Sequence, residues 1–334
     1  ARQQCQGEIQ LPLSDCGVVA LDFTGKSGIA TSIGHAPQAA LADPKAGSVL
    51  SIAEALTNIA GANLKNGLKS VSLSANWMWP CRNEGEDAAL YSAVKACSDF
   101  ACELGVNIPT GKDSLSMTQK YGDKKVVAPG TVIISAGAEV KDIRKTVSPV
   151  VQAKDSAIYY VDFSADEMKL GGSALAQLLN KVGNEVPTVK SSEYFAKAFA
   201  AIQKLVSKKQ LLAMHDISAG GMITALLEMV FANVKGGLEV NLDGFENSDM
   251  IKVLFAENPA VLIQVANKNS ENVLATLAES GLKVVKVAQP TAERSVVINH
   301  NGNEYMLFVD HLRDLWFKTS YLLDRKQSGA KCAE

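Results

Sequence analysis

The sequence predicts an α+β (mixed α/β) fold built from mixed sheets. Apolar segments with strand character alternate with amphipathic helical segments along the whole chain, which is typical of layered architectures. The segment SVVINHNGNEYMLFV, which begins at Ser295, indicates an antiparallel hairpin that turns at Asn301–Gly302. Because a hairpin is incompatible with a purely parallel sheet, we expect each half of the chain to contain a mixed sheet.

Composition narrows the class of protein. The chain has 334 residues, of which 47% are hydrophobic and 20% are charged, so it can bury one or two ordinary globular cores. Its formal net charge of −2 gives no basic surface for nucleic acid, and we expect no nucleic-acid partner. No apolar run approaches the roughly 18 residues that a membrane-spanning helix needs, so we expect no membrane contact.

The six cysteines form no Cys-x-x-Cys pair and the four histidines are scattered, which gives little support for a zinc site. Free thiols favour a reducing, cytoplasmic location. The chain begins with Ala1 and ends in the polar segment DRKQSGAKCAE. We interpret both ends as cuts through a longer polypeptide, and a processed tag with a frayed terminus is the alternative.

In the first half, the pattern predicts strands at 15–23, 71–77 and 132–140 and a helix at 85–104 that stops at Gly105. Another helix is predicted from Ser51, because Ser51 and Glu54 have the spacing of a capping box. The glycines after residue 23 predict a loop there, and they are Gly25, Gly28 and Gly34.

The polar segment 141–156 carries Pro149 and marks a domain boundary. We therefore predict an N-terminal domain at 1–148, a C-terminal domain at 149–326 and the start of a linker at 327–334. The predicted strands of the second half, besides the hairpin, lie at 157–163, 211–216, 260–266 and 283–288. Its predicted helices lie near 172–182, 193–207, 223–234, 270–280 and 310–323.

Glu54 and Asn58 form the first candidate site. They are four residues apart on one predicted helix, so their side chains lie on the same face. A carboxylate and an amide carbonyl are hard oxygen ligands that suit Mg²⁺. The alternative is structural: Glu54 completes a capping box and Asn58 is exposed.

Asp216 forms the second candidate site. An apolar strand delivers His215 and Asp216 to a turn, ISAGG, that leads into a helix. Small residues let backbone N–H groups approach phosphate oxygens, and a helix N-terminus favours anions. A helix N-cap in a tight turn explains the same residues without any ligand. His215 has no accompanying nucleophile motif, and we interpret it as structural.

Two weaker candidates remain. Asp15 begins the first predicted strand, where an acidic residue is usually just solvated, and it gains meaning only if the fold brings it near Glu54. The segment TGKDSLSM resembles the tail of a phosphate-binding P-loop, but an aspartate separates the lysine from the serine. Its residues Lys112, Asp113 and Ser114 are candidates for binding phosphate or substrate, and an exposed polar turn is the alternative.

These segments occur together, in this order, in one family. The chain resembles the large, single-chain formylglycinamide ribonucleotide amidotransferases, also called phosphoribosylformylglycinamidine synthases. The segments that carry the resemblance are QLPLSDCGVV (10–19), EALTNIA (54–60), LSANWM (73–78), GEDAALYSAVKA (85–96), IPTGKDSLSM (108–117), HDISAGG (215–221) and the terminal LRDLWFKTSYLLDR.

The resemblance implies a ligase of purine biosynthesis that uses ATP and glutamine to convert formylglycinamide ribonucleotide to formylglycinamidine ribonucleotide. Its core contains two units similar to aminoimidazole ribonucleotide synthetase, each with an N-terminal and a C-terminal subdomain. This chain is similar to the second unit, which holds an auxiliary ADP or ATP with magnesium. The resemblance places the magnesium ligands at Asp15, Glu54, Asn58 and Asp216, and the nucleotide contacts at Ser14, Ser218 and Gly220.

The resemblance also implies partners. The first unit, with the catalytic histidine and the ATP-phosphate loop, and the glutaminase domain would belong to the same polypeptide. Residues 111–114 would face the catalytic site across the interface, and an isolated half could pair with a second copy of itself. Two alternatives stay open: a purely architectural half that binds no nucleotide when isolated, and an autonomous ATP-dependent enzyme of the same superfamily, such as a thiamine-phosphate or selenophosphate enzyme.

Overall fold

The computed structural model of this chain describes residues 2–246 and 249–333. The strands are β1 (Gly17–Ala20), β2 (Gly28–His35), β3 (Val71–Met78), β4 (Asn107–Ser114), β5 (Thr118–Tyr121), β6 (Lys124–Val127), β7 (Thr131–Val140), β8 (Ser156–Asp162), β9 (Ala213–Ile217), β10 (Gly237–Asn241), β11 (Ala260–Ala266), β12 (Val284–Thr291), β13 (Ser295–His300) and β14 (Asn303–Phe308).

The helices are α1 (Pro37–Ala42), α2 (Pro44–Ile59), α3 (Glu86–Leu104), α4 (Ala174–Leu178), α5 (Ser192–Ser207), α6 (Gly221–Phe231), α7 (Met250–Phe255), α8 (Ser270–Glu279), α9 (Val309–Ser328) and α10 (Ala330–Ala333). Within the described ranges, no helix is both long enough and apolar enough to cross a membrane.

The strands form two mixed sheets and a separate β5–β6 hairpin. The N-terminal sheet has the order β1-β2-β7-β3-β4, in which only β3 and β4 are parallel neighbours. The C-terminal sheet has the order β14-β13-β10-β12-β8-β11-β9, in which only β10 and β13 are parallel. The predicted α+β class and the predicted hairpin of β13 and β14 are therefore confirmed. The proposed division at residues 148/149 falls in the segment between the two sheets.

The loop predicted around Gly28 and Gly34 is wrong, because these residues lie in strand β2, next to the centre of the N-terminal sheet. A Cβ on Gly34 would lie 2.3 Å from both the amide nitrogen of Ala55 and the carbonyl oxygen of Ser51. The glycine is thus required by the close approach of β2 to the backbone of α2 rather than by a turn. This approach brings the end of β2 against the helix that carries Glu54.

The predicted start of α2 at Ser51 is also wrong. The helix begins at Pro44, and Asp43 caps it by accepting hydrogen bonds from the amides of Lys45 and Ala46. Ser51 lies in the middle of the helix and donates to the carbonyl oxygen of Gly47. Glu54 therefore takes no part in capping, which removes the structural explanation that the sequence had offered for it.

Helix α2 lies between the two halves of the fold and is buried on most of its faces. It packs against β2, β7 and α3 on the N-terminal side and against β9 on the C-terminal side. Its residues Ile52 and Leu56 belong to the same buried apolar cluster as Phe195 and Met214 of the C-terminal half. A single core therefore fixes the position of α2 relative to β9, and these two elements carry most of the candidate site.

Candidate functional site

A cleft of about 140 Å³ opens where the end of β2 and helix α2 meet the turn after β9. Its walls include Glu54 and Thr57 of α2, and Ser218 of the turn. Gly172 closes one end, where a positive φ of 67° and the nearby Cα of Ala39, 2.4 Å from where a Cβ would lie, leave room only for glycine. The cleft is therefore bounded by backbone that approaches closely from both halves.

Next to this cleft, a buried histidine joins two aspartates. Nδ1 of His215 lies 3.1 Å from Oδ1 of Asp15 and 3.2 Å from Oδ1 of Asp216. The Asp15 side chain is 10% exposed and that of Asp216 is 4% exposed. The segment before β1 and strand β9 thus deliver two carboxylates to one point, as the family resemblance implied for this pair.

His215 acts as the counter-ion of these carboxylates. Burial disfavours the charged ring, but Asp15, Asp216 and Glu228 outweigh it and raise the pKa of His215 well above its usual value. The ring nitrogen Nδ1 and one oxygen of each aspartate thus form a single buried polar cluster. The sequence interpretation of His215 as structural missed this direct contact with the site.

Both aspartates keep an oxygen that His215 does not use. Among the described residues, no group donates a hydrogen bond to the buried Oδ2 of Asp216. Burial and the nearby carboxylates of Asp216 and Glu228 raise the pKa of Asp15. Such an arrangement is costly without a further cation, because buried carboxylates repel one another and one of their oxygens lacks a partner.

Glu54 and Asn58 are anchored to β2 through one atom each. Oε2 of Glu54 accepts a 2.7 Å hydrogen bond from the amide of His35, and Nδ2 of Asn58 donates a 2.9 Å hydrogen bond to the carbonyl oxygen of Ile33. These bonds leave Oε1 of Glu54 and Oδ1 of Asn58 available. Burial, followed by repulsion from Asp216, raises the pKa of Glu54 to about 8, which places Glu54 in the electrostatic field of Asp216.

Sequence reasoning missed Glu257, which lines the opposite wall of the cleft. Its Oε1 accepts 2.7 Å hydrogen bonds from the amides of Ala174 and Gly220, so one carboxylate clamps two turns. Burial raises the pKa of Glu257 despite these two bonds. Glu257 follows α7 and has no motif around it, so only the tertiary structure identifies it.

The remaining predicted residues are spread over several places. Ser218 lines the cleft, whereas the amide of Gly220 is occupied by Glu257. Ser14 lies with Asp15 in a separate groove beside β2, where its hydroxyl donates to the carbonyl oxygen of Cys16. The structure therefore does not bring Ser14 and Ser218 into one cavity.

Lys112, Asp113 and Ser114 lie on β4, an exposed edge strand, and not in the predicted turn. Strand β4 is at the opposite edge of the N-terminal sheet from β1, next to which Asp15 lies. Nζ of Lys112 contacts Oγ of Ser114 at 2.5 Å. These three residues form a surface of their own and take no part in the Asp15–Asp216 cluster.

The predicted ligands carry donor atoms that suit a magnesium ion. Among the described residues, the carboxylate oxygens of Asp15 and Asp216 and a ring nitrogen of His215 lie within 4.8 Å of one another, and Glu54 is outside that group. Asp15, Glu54, Asn58 and Asp216 offer carboxylate and amide oxygens, which are the ligands of hard divalent cations. The unpartnered Oδ2 of Asp216 is the strongest structural indication, because native proteins rarely leave a buried carboxylate oxygen without a partner. The four residues come from the segment before β1, from α2 and from β9.

Two family models match the chain. Residues 1–139 match the FGAR-AT PurM_N-like domain, and residues 157–301 match the C-terminal domain of AIR synthase related proteins. The first half of the chain thus matches one of these domains and the second half the other.

The chain is homologous over its full length to phosphoribosylformylglycinamidine synthases, which confirms the resemblance drawn from the motifs. It is 39% identical over 339 residues to the Homo sapiens protein of that name, an alignment that covers 99% of this chain and 25% of the relative. It is 36% identical over 338 residues to a probable chloroplastic/mitochondrial form from Arabidopsis thaliana, covering 100% of this chain and 24% of that protein. The chain spans about a quarter of the length of these relatives.

Solved structures agree on the fold. The chain matches Thermotoga maritima PurL complexed with FGAR with a TM-score of 0.73 at 16% identity, covering 90% of this chain and 48% of PurL. For PurL complexed with ADP, the TM-score is 0.69 at 14% identity, covering 90% of this chain and 46% of PurL. At these identities, the likeness shows a common architecture.

Proposed function

We propose that this chain carries the auxiliary magnesium–adenine nucleotide site of a phosphoribosylformylglycinamidine synthase and forms the second of its two synthetase-like units. In this proposal, Asp15, Glu54, Asn58 and Asp216 hold the magnesium. The nucleotide occupies the cleft beside them, with ADP or ATP as the ligand and Ser218 as a phosphate contact.

The observation that carries the proposal is the buried Oδ2 of Asp216, which lacks a partner within the described residues. A bound Mg²⁺ supplies the positive charge that offsets the clustered carboxylates and attracts phosphate oxygens. His215 contacts Asp15 and Asp216 through its Nδ1. The amide of His35 orients Glu54, and the carbonyl oxygen of Ile33 orients Asn58. The first coordination shell is therefore pre-oriented by the protein.

The cleft supports a nucleotide ligand. It is adjacent to the turn from Ser218 to Gly220, which precedes helix α6, and helix N-termini favour phosphate. The matched structures of Thermotoga maritima PurL include complexes with ADP and with ATP, which supports a nucleotide ligand for this chain. Ser14 lies in the neighbouring groove, so its contribution is limited to the segment that carries Asp15.

The partner of this unit is proposed to be the first synthetase-like unit of the same polypeptide. The face of β1 and β2 that points away from α2 exposes Val19, Ile29 and Ile33, of which Val19 is 69% exposed. An apolar sheet face of this kind is typical of an interface. Because the chain covers 48% of the matched PurL chain, that protein has room for a second unit of similar size.

The whole activity is proposed to need both units and a glutaminase domain. In the reaction that the family resemblance implies, ATP would activate the amide oxygen of formylglycinamide ribonucleotide, and ammonia from glutamine would then displace that oxygen. In this arrangement Lys112, Asp113 and Ser114 on the exposed β4 edge reach across the interface to substrate. We expect the isolated chain to bind nucleotide without turning over substrate.

Titration calorimetry with Mg-ADP tests the proposal. The chain is expected to bind Mg-ADP, and Glu54→Gln and Asp216→Asn are each expected to weaken binding by at least about tenfold, as loss of a metal ligand does. Glu103→Gln and Asp123→Asn change the same chemical groups at exposed positions outside the site and serve as matched controls.

Each outcome distinguishes a class of function. Binding that the site variants weaken and the controls retain supports the proposal. No heat at millimolar Mg-ADP favours a purely architectural unit. Turnover of ATP by the isolated chain, lost in the same variants, favours an autonomous enzyme of the superfamily.

A further inference from the structure

A line of polar contacts runs from the aspartate pair to the last long helix. We propose that Glu228 and Trp316 are positioning residues that hold the ring of His215 between Asp15 and Asp216, so that helix α9 influences the magnesium affinity of the cleft. The second half of this statement rests on the proposed magnesium site, whereas the first half concerns the chain alone.

The ring of His215 lies between the carboxyl groups of Asp15 and Asp216. The nitrogen Nδ1 faces Oδ1 of both Asp15 and Asp216, at 3.1 and 3.2 Å, and the contact with Asp216 has the geometry of a hydrogen bond. A rotation of the ring would change both contacts. Whatever fixes the ring also fixes the separation and direction of the two carboxylates.

Glu228 contacts the side of the His215 ring that faces away from the aspartates. Oε2 of Glu228 lies 3.3 Å from Nε2 of His215, and Glu228 comes from α6. Among the described residues, Nε2 of His215 has no hydrogen-bond partner, so the carboxylate limits the rotation of the ring by its close approach rather than by a hydrogen bond. The Glu228 side chain is 20% exposed and that of His215 is 9% exposed, so solvent screens the electrostatic interaction between them weakly.

Trp316 holds the carboxylate of Glu228 in place. Its other oxygen, Oε1, accepts a 2.9 Å hydrogen bond from Nε1 of Trp316. Since one oxygen faces His215 and the other faces Trp316, the carboxylate cannot turn without losing one contact. The indole of Trp316 is held in turn by the ring of Phe231, with ring centroids 5.9 Å apart.

Helix α9 is attached to the rest of the fold through few buried residues. Of the residues in this helix, all of which the structure describes, only Val309 is fully buried. Leu315, Leu322 and Leu323 are about half exposed or more. Trp316 thus belongs to a helix with a small buried area, and a shift of α9 would change the hydrogen bond to Glu228 directly.

The experiment uses the full chain with Trp316→Phe and Glu228→Gln. The first variant keeps an aromatic ring but removes the N–H donor, and the second keeps an acceptor for Trp316 but removes the charge. Trp77→Phe, in the other sheet, and Glu103→Gln are matched controls. Circular dichroism and thermal melting establish that each variant is folded before binding is measured.

The first readout needs no ligand. ¹⁵N NMR spectra record the signals of the two ring nitrogens of His215 in the parent chain and in each variant. Trp316→Phe and Glu228→Gln are expected to shift the His215 ring signals, while the controls leave them unchanged. Unchanged His215 signals in both folded variants would overturn the positioning role, whatever the chain binds.

The second readout is the difference between ADP affinity with and without Mg²⁺. Removing a residue that orients a metal ligand through another group typically weakens metal binding 10- to 100-fold, so both variants are expected to lose roughly tenfold of the Mg²⁺-dependent affinity. ADP affinity without Mg²⁺ is expected to stay within about twofold. If the parent chain binds Mg-ADP and both variants keep the same Mg²⁺ dependence, only the inference about Glu228 and Trp316 is overturned. If the parent chain binds no Mg-ADP, the proposed function is overturned, and the link between α9 and magnesium affinity with it.

Discussion

Nδ1 of His215 lies 3.1 Å from Oδ1 of Asp15, and this contact joins the segment before β1 to strand β9. The same nitrogen contacts Asp216, so one ring nitrogen lies against two carboxyl groups inside the protein. Buried ion clusters of this kind are sensitive to the loss of any member, because the remaining charges stay buried without compensation.

His215→Leu is accordingly expected to destabilise the chain by about 3–5 kcal/mol, the cost of breaking a buried ion pair from one side. Chemical denaturation at neutral pH measures this loss. Mg²⁺ is expected to recover part of the stability in the variant, because a divalent cation would take over the role of the missing charge. His311→Leu, at an exposed position on α9, is the control, and an equally small loss in both variants would show that the cluster contributes little.

The pH dependence of stability is expected to depend on Glu54. Burial raises its pKa to about 8 from the value of 4.5 that applies to the unfolded chain. Between these two values the folded chain retains a proton that the unfolded chain has released, so the contribution of this group is complete below about pH 4.5 and is lost as the pH rises through 8.

Thermal melts of the magnesium-free chain between pH 5 and 8.5 measure this effect. The parent chain is expected to lose stability with rising pH more steeply than Glu54→Gln, which cannot ionise at this position. Superimposable pH profiles for the two proteins would contradict the assignment. Added Mg²⁺ is expected to flatten the parent profile, because it favours the ionised carboxylate.

Gly34→Ala tests the contact between β2 and α2. The added Cβ would lie 2.3 Å from backbone atoms of Ser51 and Ala55, so the strand and the helix must move apart, at a cost of about 3 kcal/mol. The movement would also displace the anchors of Glu54 and Asn58, so Mg-ADP affinity is expected to fall as well.

Gly137→Ala on β7 is the matched control, since its Cβ meets no atom within 4 Å. Denaturant midpoints and calorimetry on both variants make the comparison. A Gly34→Ala protein as stable as Gly137→Ala would show that β2 and α2 are not held at the described separation.

The cysteines are expected to differ sharply in reactivity. Burial raises the pKa of both Cys16 and Cys97 to about 12, and these thiols are inaccessible as well. Cys102 and Cys332 are exposed. With a thiol reagent at pH 8, Cys102 and Cys332 are expected to react first, and Cys16 and Cys97 only after denaturation. Labelling of Cys97 in the native chain as fast as Cys102, located by peptide mass spectrometry, would contradict the described packing of α3.

The sequence predicted most of the fold because its strands and helices have clear periodicity. It failed at β2, because glycines such as Gly28 and Gly34 are typical of loops. In the structure they lie in a strand, where they allow close packing against neighbouring segments. The sequence also failed at the start of α2, where Ser51 and Glu54 imitate a capping box. The pair Asp43–Pro44 carried the correct signal, since an acidic cap followed by proline is a standard helix start.

The candidate site was less accessible to sequence reasoning. Motif resemblance pointed to Asp15 and Asp216, but no local pattern indicates that His215 lies between them. Glu228 had a detectable signal, because a lone carboxylate in the apolar segment ITALLEMVF needs a buried partner. Glu257 had none, because its role depends on two turns that only the fold brings together.

The position of the metal ion decides whether Asp15, Glu54, Asn58 and Asp216 form one magnesium site. Crystals of the chain grown with ADP and Mn²⁺ in place of Mg²⁺ would locate the ion by anomalous scattering. We expect a peak coordinated by Oδ2 of Asp216 together with oxygens of Asp15, Glu54 and Asn58, with ADP phosphates in the adjoining cleft. A nucleotide bound with no ion at these residues, or an ion coordinated elsewhere, would contradict this expectation.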